Sequence, residues 1–190
     1  MGVTVLDIHK ALEARHPADA WVYLRELRTR TGYEYGPNFS TFDQIRSIDA
    51  FAMGCWKSNG HRRVAYEIKV SRGDWLRELK DQHKRTQAYF LAHEFWFALA
   101  PGVINATPGV GNDFLQFQEA LHGCGVLEVQ EDGTVKVIER AKRHEAWPMP
   151  EAFIASLLRN AAARYATERK EAEQAIIKQY GMDSLFDESA

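Results

Sequence analysis

Residues 46–70 read RSIDAFAMGCW, then KSNG, then HRRVAYEIKV, and they predict two strands joined by a tight turn. Asn59 and Gly60 tolerate the positive φ that a short hairpin loop demands. Phe51, Met53 and Cys55 alternate with Ala50, Ala52 and Gly54, while Val64, Tyr66, Ile68 and Val70 alternate with Ala65, Glu67 and Lys69. Register decides whether the hairpin carries chemistry. A three-residue loop, Ser58 to Gly60, sets Asp49 opposite Lys69 and Phe51 opposite Glu67, so that Asp49, Glu67 and Lys69 share one face. A slip of one residue moves Asp49 to the other face. Two carboxylates and an ammonium on one side of a half-buried ribbon are costly unless paired, and a hard divalent cation suits the two carboxylates.

Composition sets the frame. The chain has 190 residues, 45% hydrophobic and 12% aromatic, enough for one real core and hence one domain. That domain is expected over residues 1–150, with a C-terminal helix and acidic tail over 151–190. The net charge of -2 indicates no global affinity for nucleic acid, but His61 to Arg85 holds eight Lys or Arg against four acids. Two cysteines, Cys55 and Cys124, are too few for a disulfide framework. No apolar run reaches the roughly 18 residues of a membrane span, and Asp7 interrupts any signal-peptide core. A soluble, cytoplasmic protein without membrane partners is the expectation.

In chain order, Thr4 caps a helix to about Arg15, with Val5, Ile8 and Leu12 on one face. Pro17 and Asp19 open a second predicted helix through about Thr29. Residues 32–45 are an aromatic loop or irregular strand. After the hairpin, Ser71 and Asp74 form a capping box for a helical stretch over 72–92, broken near Asp81 to His83. Glu94 to Ala100 reads as an apolar strand, Asn112 to His122 as a short helix, and 125–130 with 134–140 as a second hairpin around Glu131-Asp132-Gly133. Glu151 to Tyr180 is one long helix with Gly181 as its cap. The fold class is therefore α/β, a mixed central sheet flanked by helices.

Specificity comes from placement. Glu78-Leu79-Lys80 repeats the acid-x-Lys pattern, but in a helix, where i and i+2 do not share a face. In a strand they do, as at Glu67 and Lys69. Ile48-Asp49, followed by Glu67-Ile68-Lys69 after a hairpin and then by a basic helix, resembles the PD-(D/E)XK nuclease superfamily over about residues 19–143. YEIKVSRGDWLREL, FWFALAPGVI and GVLEVQEDGTVKVIERA look most like its MmcB-like DNA repair nucleases. Ile48 stands where the motif's name has Pro.

The resemblance implies a restriction-endonuclease-like αβββαβ core and a deoxyribonuclease dependent on Mg²⁺ or Mn²⁺. Asp49, Glu67 and the Ile68 carbonyl would hold the ion, and Lys69 would contact the attacking water or the phosphate. It implies a further acid from the helix before the hairpin: Glu26, with Glu13 and Glu34 as alternatives. Gln87 follows on a helix where related nucleases orient water or phosphate. Arg62, Arg63, Arg72, Lys80, Lys84 and Arg85 are candidate contacts to the DNA backbone. Trp75, Phe95, Trp96 and Phe97 are expected in the core, Asp74 as a cap, and His122-Gly123-Cys124 as no more than half a zinc site. The long C-terminal helix could pair two subunits in a homodimer. Two other classes stay open: a catalytically silent nuclease-fold module that binds DNA, and a protein-interaction module using the 32–45 loop and the C-terminal helix.

Overall fold

The computed structural model describes residues 2–29, 46–107, 109 and 111–180. The aromatic loop 32–45, Glu34, Gly181 and the acidic tail lie outside the described residues.

Helix α1 (Val5–Arg15) begins at a capping box in which Thr4 and Asp7 bond reciprocally. Ile8 and Leu12 are buried, whereas Val5 is exposed. Six strands then build one mixed sheet in sequential order: β1 (Trp21–Arg28), β2 (Ser47–Gly54), β3 (Arg63–Lys69), β4 (Glu94–Leu99), β5 (Gly125–Val129) and β6 (Val135–Glu139). The pairs β3–β4 and β4–β5 are parallel, and the other three are antiparallel. Between β3 and β4 run α2 (Arg72–Lys80), a 3₁₀ turn Gln82–Arg85 and α3 (Thr86–Leu91), so the helical stretch is broken where expected. Two four-residue helices, α4 (Asp113–Gln116) and α5 (Gln118–Leu121), precede β5. The long helix α6 (Glu151–Tyr180) closes the described chain. The class is α/β, with the αβββαβ core order expected.

Two local expectations are corrected. The second helix, expected over 17–29, is strand β1. Both faces of the sheet are covered, so Leu24 opposite Phe51 and Leu27 opposite Ile48 are both buried although they point to opposite faces. That spacing of three imitates a helix, and pairing with β2 decides otherwise. The hairpin loop is also longer than three residues. Gly54 N–H donates to the Arg62 carbonyl at 2.8 Å, and the intervening segment makes a 3₁₀ turn, Lys57–Asn59, ended by Gly60 at φ 66°.

One face of the sheet packs Trp75 of α2 edge-on to Phe97 at 4.9 Å, and Phe153 of α6 edge-on to Phe51 at 5.4 Å. On the other face α1 and its C-terminal cap contribute two buried histidines, each tied to a tyrosine: His9 Nδ1 to Tyr23 Oη at 2.8 Å and His16 Nε2 to Tyr66 Oη at 2.7 Å. Helix α6 then crosses the free edge of β1. Asn160 Nδ2 donates to the Arg25 carbonyl at 3.2 Å and Arg164 Nη1 to the Tyr23 carbonyl at 2.6 Å. From Tyr165 to Ile176 every residue is exposed, so this part of the helix projects. Among the described residues no helix is long and apolar enough to cross a membrane.

Candidate active site

The β2–β3 pairing runs from Met53↔Arg63 to Ala50↔Tyr66. Continued one step, it sets Asp49 opposite Glu67, not Lys69. The longer loop shifts the register by two residues, which keeps every side chain on its face. At this level the ladder gives way to a side chain: the Ile68 N–H donates to Asp49 Oδ2 at 2.8 Å. In a strand a residue's N–H and C=O point the same way, so the Ile68 carbonyl also faces β2, while the Lys69 carbonyl accepts from Ala100 N–H on the β4 side.

The same level is disturbed in β1. Its pairing runs Trp21↔Gly54 to Arg25↔Ala50, skips one step and resumes at Leu27↔Ile48. The skipped residue is Glu26, across from Asp49, with φ 50°. A non-glycine residue in the left-handed region costs about 1 kcal/mol or more and concentrates at functional sites. Glu26, Asp49 and Glu67 thus form one row across three adjacent strands. Glu26 comes from a strand and not from a helix, which corrects the origin expected for the extra acid. Glu13 is engaged elsewhere, in ion pairs with Arg25 at 2.9 Å and Arg164 at 3.3 Å.

Glu26 and Asp49, with Ile68, Lys69, Glu78 and Lys84, line a cleft of about 410 Å³ at the end of β3; Glu67 is not among its lining residues and is tied to it through Lys69. His9, Asp74 and Arg77 complete its polar wall. Lys69 Nζ bonds to Glu67 Oε1 and lies 3.5 Å from Glu78 Oε2. Burial, then the nearby Asp49 and Glu78, push the Glu67 carboxyl up to about 7 against the pull of Lys69. Asp49 is also raised, chiefly by burial, with Glu78 and Glu26 adding to it and the Ile68 amide and Lys69 opposing. Burial alone would lower Lys69, but Glu67, Glu78 and Asp49 outweigh it and hold the ammonium above its ordinary value.

Glu78 was missed by sequence reasoning. Glu78-Leu79-Lys80 indeed does not converge, since Lys80 is exposed while Glu78 is buried. Yet Trp75, Glu78 and Leu79 form the buried face of α2, so the helical spacing from Trp75 was the available signal.

Several other candidates fall away from the cleft. Gln87 lies on α3 and does not line it. Arg72 is held bidentately by the fully buried Asp113, and donates to the Val103 carbonyl at 2.9 Å. Arg85 is buried, with Nη2 on the Ala120 carbonyl at 2.6 Å. Arg62 and Arg63 sit at the opposite end of β3. Arg62 pairs with Glu94 at 3.3 Å and lies over Trp21, and buried Arg63 donates to the Trp147 carbonyl at 2.9 Å. For Arg63, Arg72 and Arg85, burial or a buried partner replaces the phosphate contact expected of them. Of the six basic candidates Lys84 reaches the cleft and Lys80 stands exposed nearby on α2. Asp74 acts as a helix cap with Ser71, as expected.

The fold resembles that of the SPO1766 protein of unknown function from Silicibacter pomeroyi, with a TM-score of 0.51 and 18% identity over 86% of this chain and 90% of that one. That likeness concerns the fold. No family model and no curated protein matches the chain.

Among the described residues no three His, Cys, Asp or Glu side chains converge tightly enough to hold a metal ion on their own. The candidate donors are the Asp49 and Glu67 carboxylates, at one level of the β2–β3 pair, and the Ile68 carbonyl beside them. Their residue types fit a hard cation, and the raised Asp49 and Glu67 register a repulsion that such a cation relieves.

Proposed function

We propose that the protein is a divalent-metal-dependent deoxyribonuclease that hydrolyses DNA phosphodiester bonds in the cytoplasm, in repair, recombination or phage DNA processing. The observation that carries this reading is the crowding of Asp49, Glu67 and Lys69 at one opened level of the sheet, with two acids raised by burial and by neighbouring carboxylates. Such a cluster is costly for folding and suits a site that binds positive charge.

Asp49, Glu67 and the Ile68 carbonyl would hold Mg²⁺ or Mn²⁺, with Glu26 facing the same cleft. A bound ion there supplies Lewis-acid chemistry, making water acidic and neutralising charge that develops on phosphate. The Ile68 amide fixes one oxygen of Asp49 and so orients the other. Lys69, held above its ordinary pKa by its acidic neighbours, would contact the attacking water or the phosphate and support it electrostatically. Lys84 at the rim, paired with Asp81 at 3.3 Å, and exposed Lys80 on α2 offer positive charge to the DNA backbone.

The test is cleavage of labelled linear, flapped and four-way DNA with Mg²⁺, Mn²⁺ or EDTA. Metal-dependent cleavage that EDTA stops is the expected result. Salt-sensitive DNA binding without cleavage would instead favour the silent module, and neither binding nor cleavage would remove both readings.

A further inference from the structure

We propose that Glu78 is a positioning residue for Lys69: braced from behind by Arg85, it keeps the ammonium in place when Glu67 turns to a cation. The inference rests on reading the cleft as a nuclease site. Lys69 has two acidic partners, Glu67 through Oε1 and Glu78 through Oε2 at 3.5 Å. Glu67 cannot serve the ion and the ammonium equally, because a carboxylate that coordinates a divalent cation gives up much of its negative charge to it. Glu78 has no such second duty.

Its other oxygen, Oε1, lies 3.6 Å from Arg85 Nη1. Arg85 is only 6% exposed and is itself fixed. Nη1 donates to the Glu78 carbonyl at 3.1 Å, Nη2 donates to the Ala120 carbonyl at 2.6 Å, and the guanidinium lies over the Phe97 ring at 5.3 Å. The carboxylate is therefore held at one oxygen by a rigid buried cation and presents the other to the cleft. A buried acid on the core face of a helix is expensive unless paired, and Arg85 supplies that pairing whether or not Lys69 is present. Glu78 can then hold a mobile four-carbon lysine stem without moving itself.

The decisive measurement is the nitrogen-15 signal of the Lys69 ammonium in millimolar Mg²⁺, assigned by its loss in Lys69→Arg. Slow proton exchange marks an anchored ammonium. The expected results are a persistent signal in the wild type and in Glu67→Gln, and its loss in Glu78→Gln. Loss in Glu67→Gln, or persistence in Glu78→Gln, overturns the proposal, and the Glu67→Gln arm decides it even if Glu78→Gln fails to fold. In cleavage assays Glu78→Gln should lower kcat by about 100-fold with KM unchanged, the scale of a small misplacement of a reacting group. It should cost nothing further in a Lys69→Ala background. Additive losses would mean a purely structural role and overturn the proposal. A wild type that cleaves no DNA removes the nuclease reading, while the ammonium signal still decides the anchoring.

Discussion

Asp113 and Asp49 are two aspartates at the same end of one sheet, and they have been treated in opposite ways. Asp113 has no exposed surface and is saturated with donors: both ends of the Arg72 fork, Trp75 Nε1 at 2.8 Å and the Asn105 amide at 3.0 Å. Burial raises its carboxyl, but these donors outweigh burial and leave it below its ordinary value. Asp49 receives one amide and faces Glu67, Glu26 and Glu78, so burial prevails and it is raised. The difference separates a carboxylate that closes the structure from one that the structure leaves wanting a cation. Helix α2 serves both, with Arg72 clasping Asp113 in its first turn and Glu78 facing Lys69 further on.

The sharpest way to break this contrast is substitution at the unsaturated cluster. Asp49→Asn or Lys69→Ala should lower cleavage by at least ~100-fold, the effect of losing one preorganised electrostatic partner, with the thermal transition preserved. Full activity in both variants would sink the nuclease reading. At the saturated site the loss falls on stability instead. Asp113→Ala strands the buried Trp75 N–H and the Asn105 amide and releases the half-exposed Arg72, and should destabilise the fold by about 1–3 kcal/mol in chemical denaturation.

The pH dependence divides the two sites next. Asp113, lowered in the fold, contributes stability that is present above the unfolded pKa and lost as pH falls below about 4. Glu67, raised to about 7, favours the fold while protonated. Its contribution is complete below about pH 4.5 and is lost as pH rises through about 7, a change of at most a few kcal/mol at about 1.4 kcal/mol per unit. Millimolar Mg²⁺ should restore it, raising Tm more near pH 8 than near pH 5. An equal rise at both would argue against the cluster as the ion's site. The smallest effect belongs to the far end of β3. Arg62→Gln should change stability by no more than about 1 kcal/mol and leave the salt dependence of DNA binding unaltered, since Glu94 and Trp21 already engage the side chain.

The central hairpin and its shared face were legible because strand alternation depends only on parity. The register moved by two residues and Asp49 stayed beside Glu67. The helix caps at Thr4 and Ser71 (the latter only half of the box expected with Asp74), the break after Lys80 and the strand before Pro101 were legible too, as each is written in neighbouring residues. Strand β1 was not, because burial on both faces erased the alternation that would have distinguished it from a helix. Nor were the roles of Arg72 and Arg85, whose partners Asp113 and Ala120 lie far away in sequence. Local charge counted them as available to phosphate, and the fold had already used them.

One further consequence follows from Asn160 and Arg164. By occupying the Arg25 and Tyr23 carbonyls they deny the outermost ribbon to any incoming chain. A protein shortened before Glu151 would bare that row of acceptors together with Phe51, inviting copies to stack side by side into insoluble assemblies, so the first turns of the long helix act as a guard against self-association while the stretch from Tyr165 to Ile176 stays exposed.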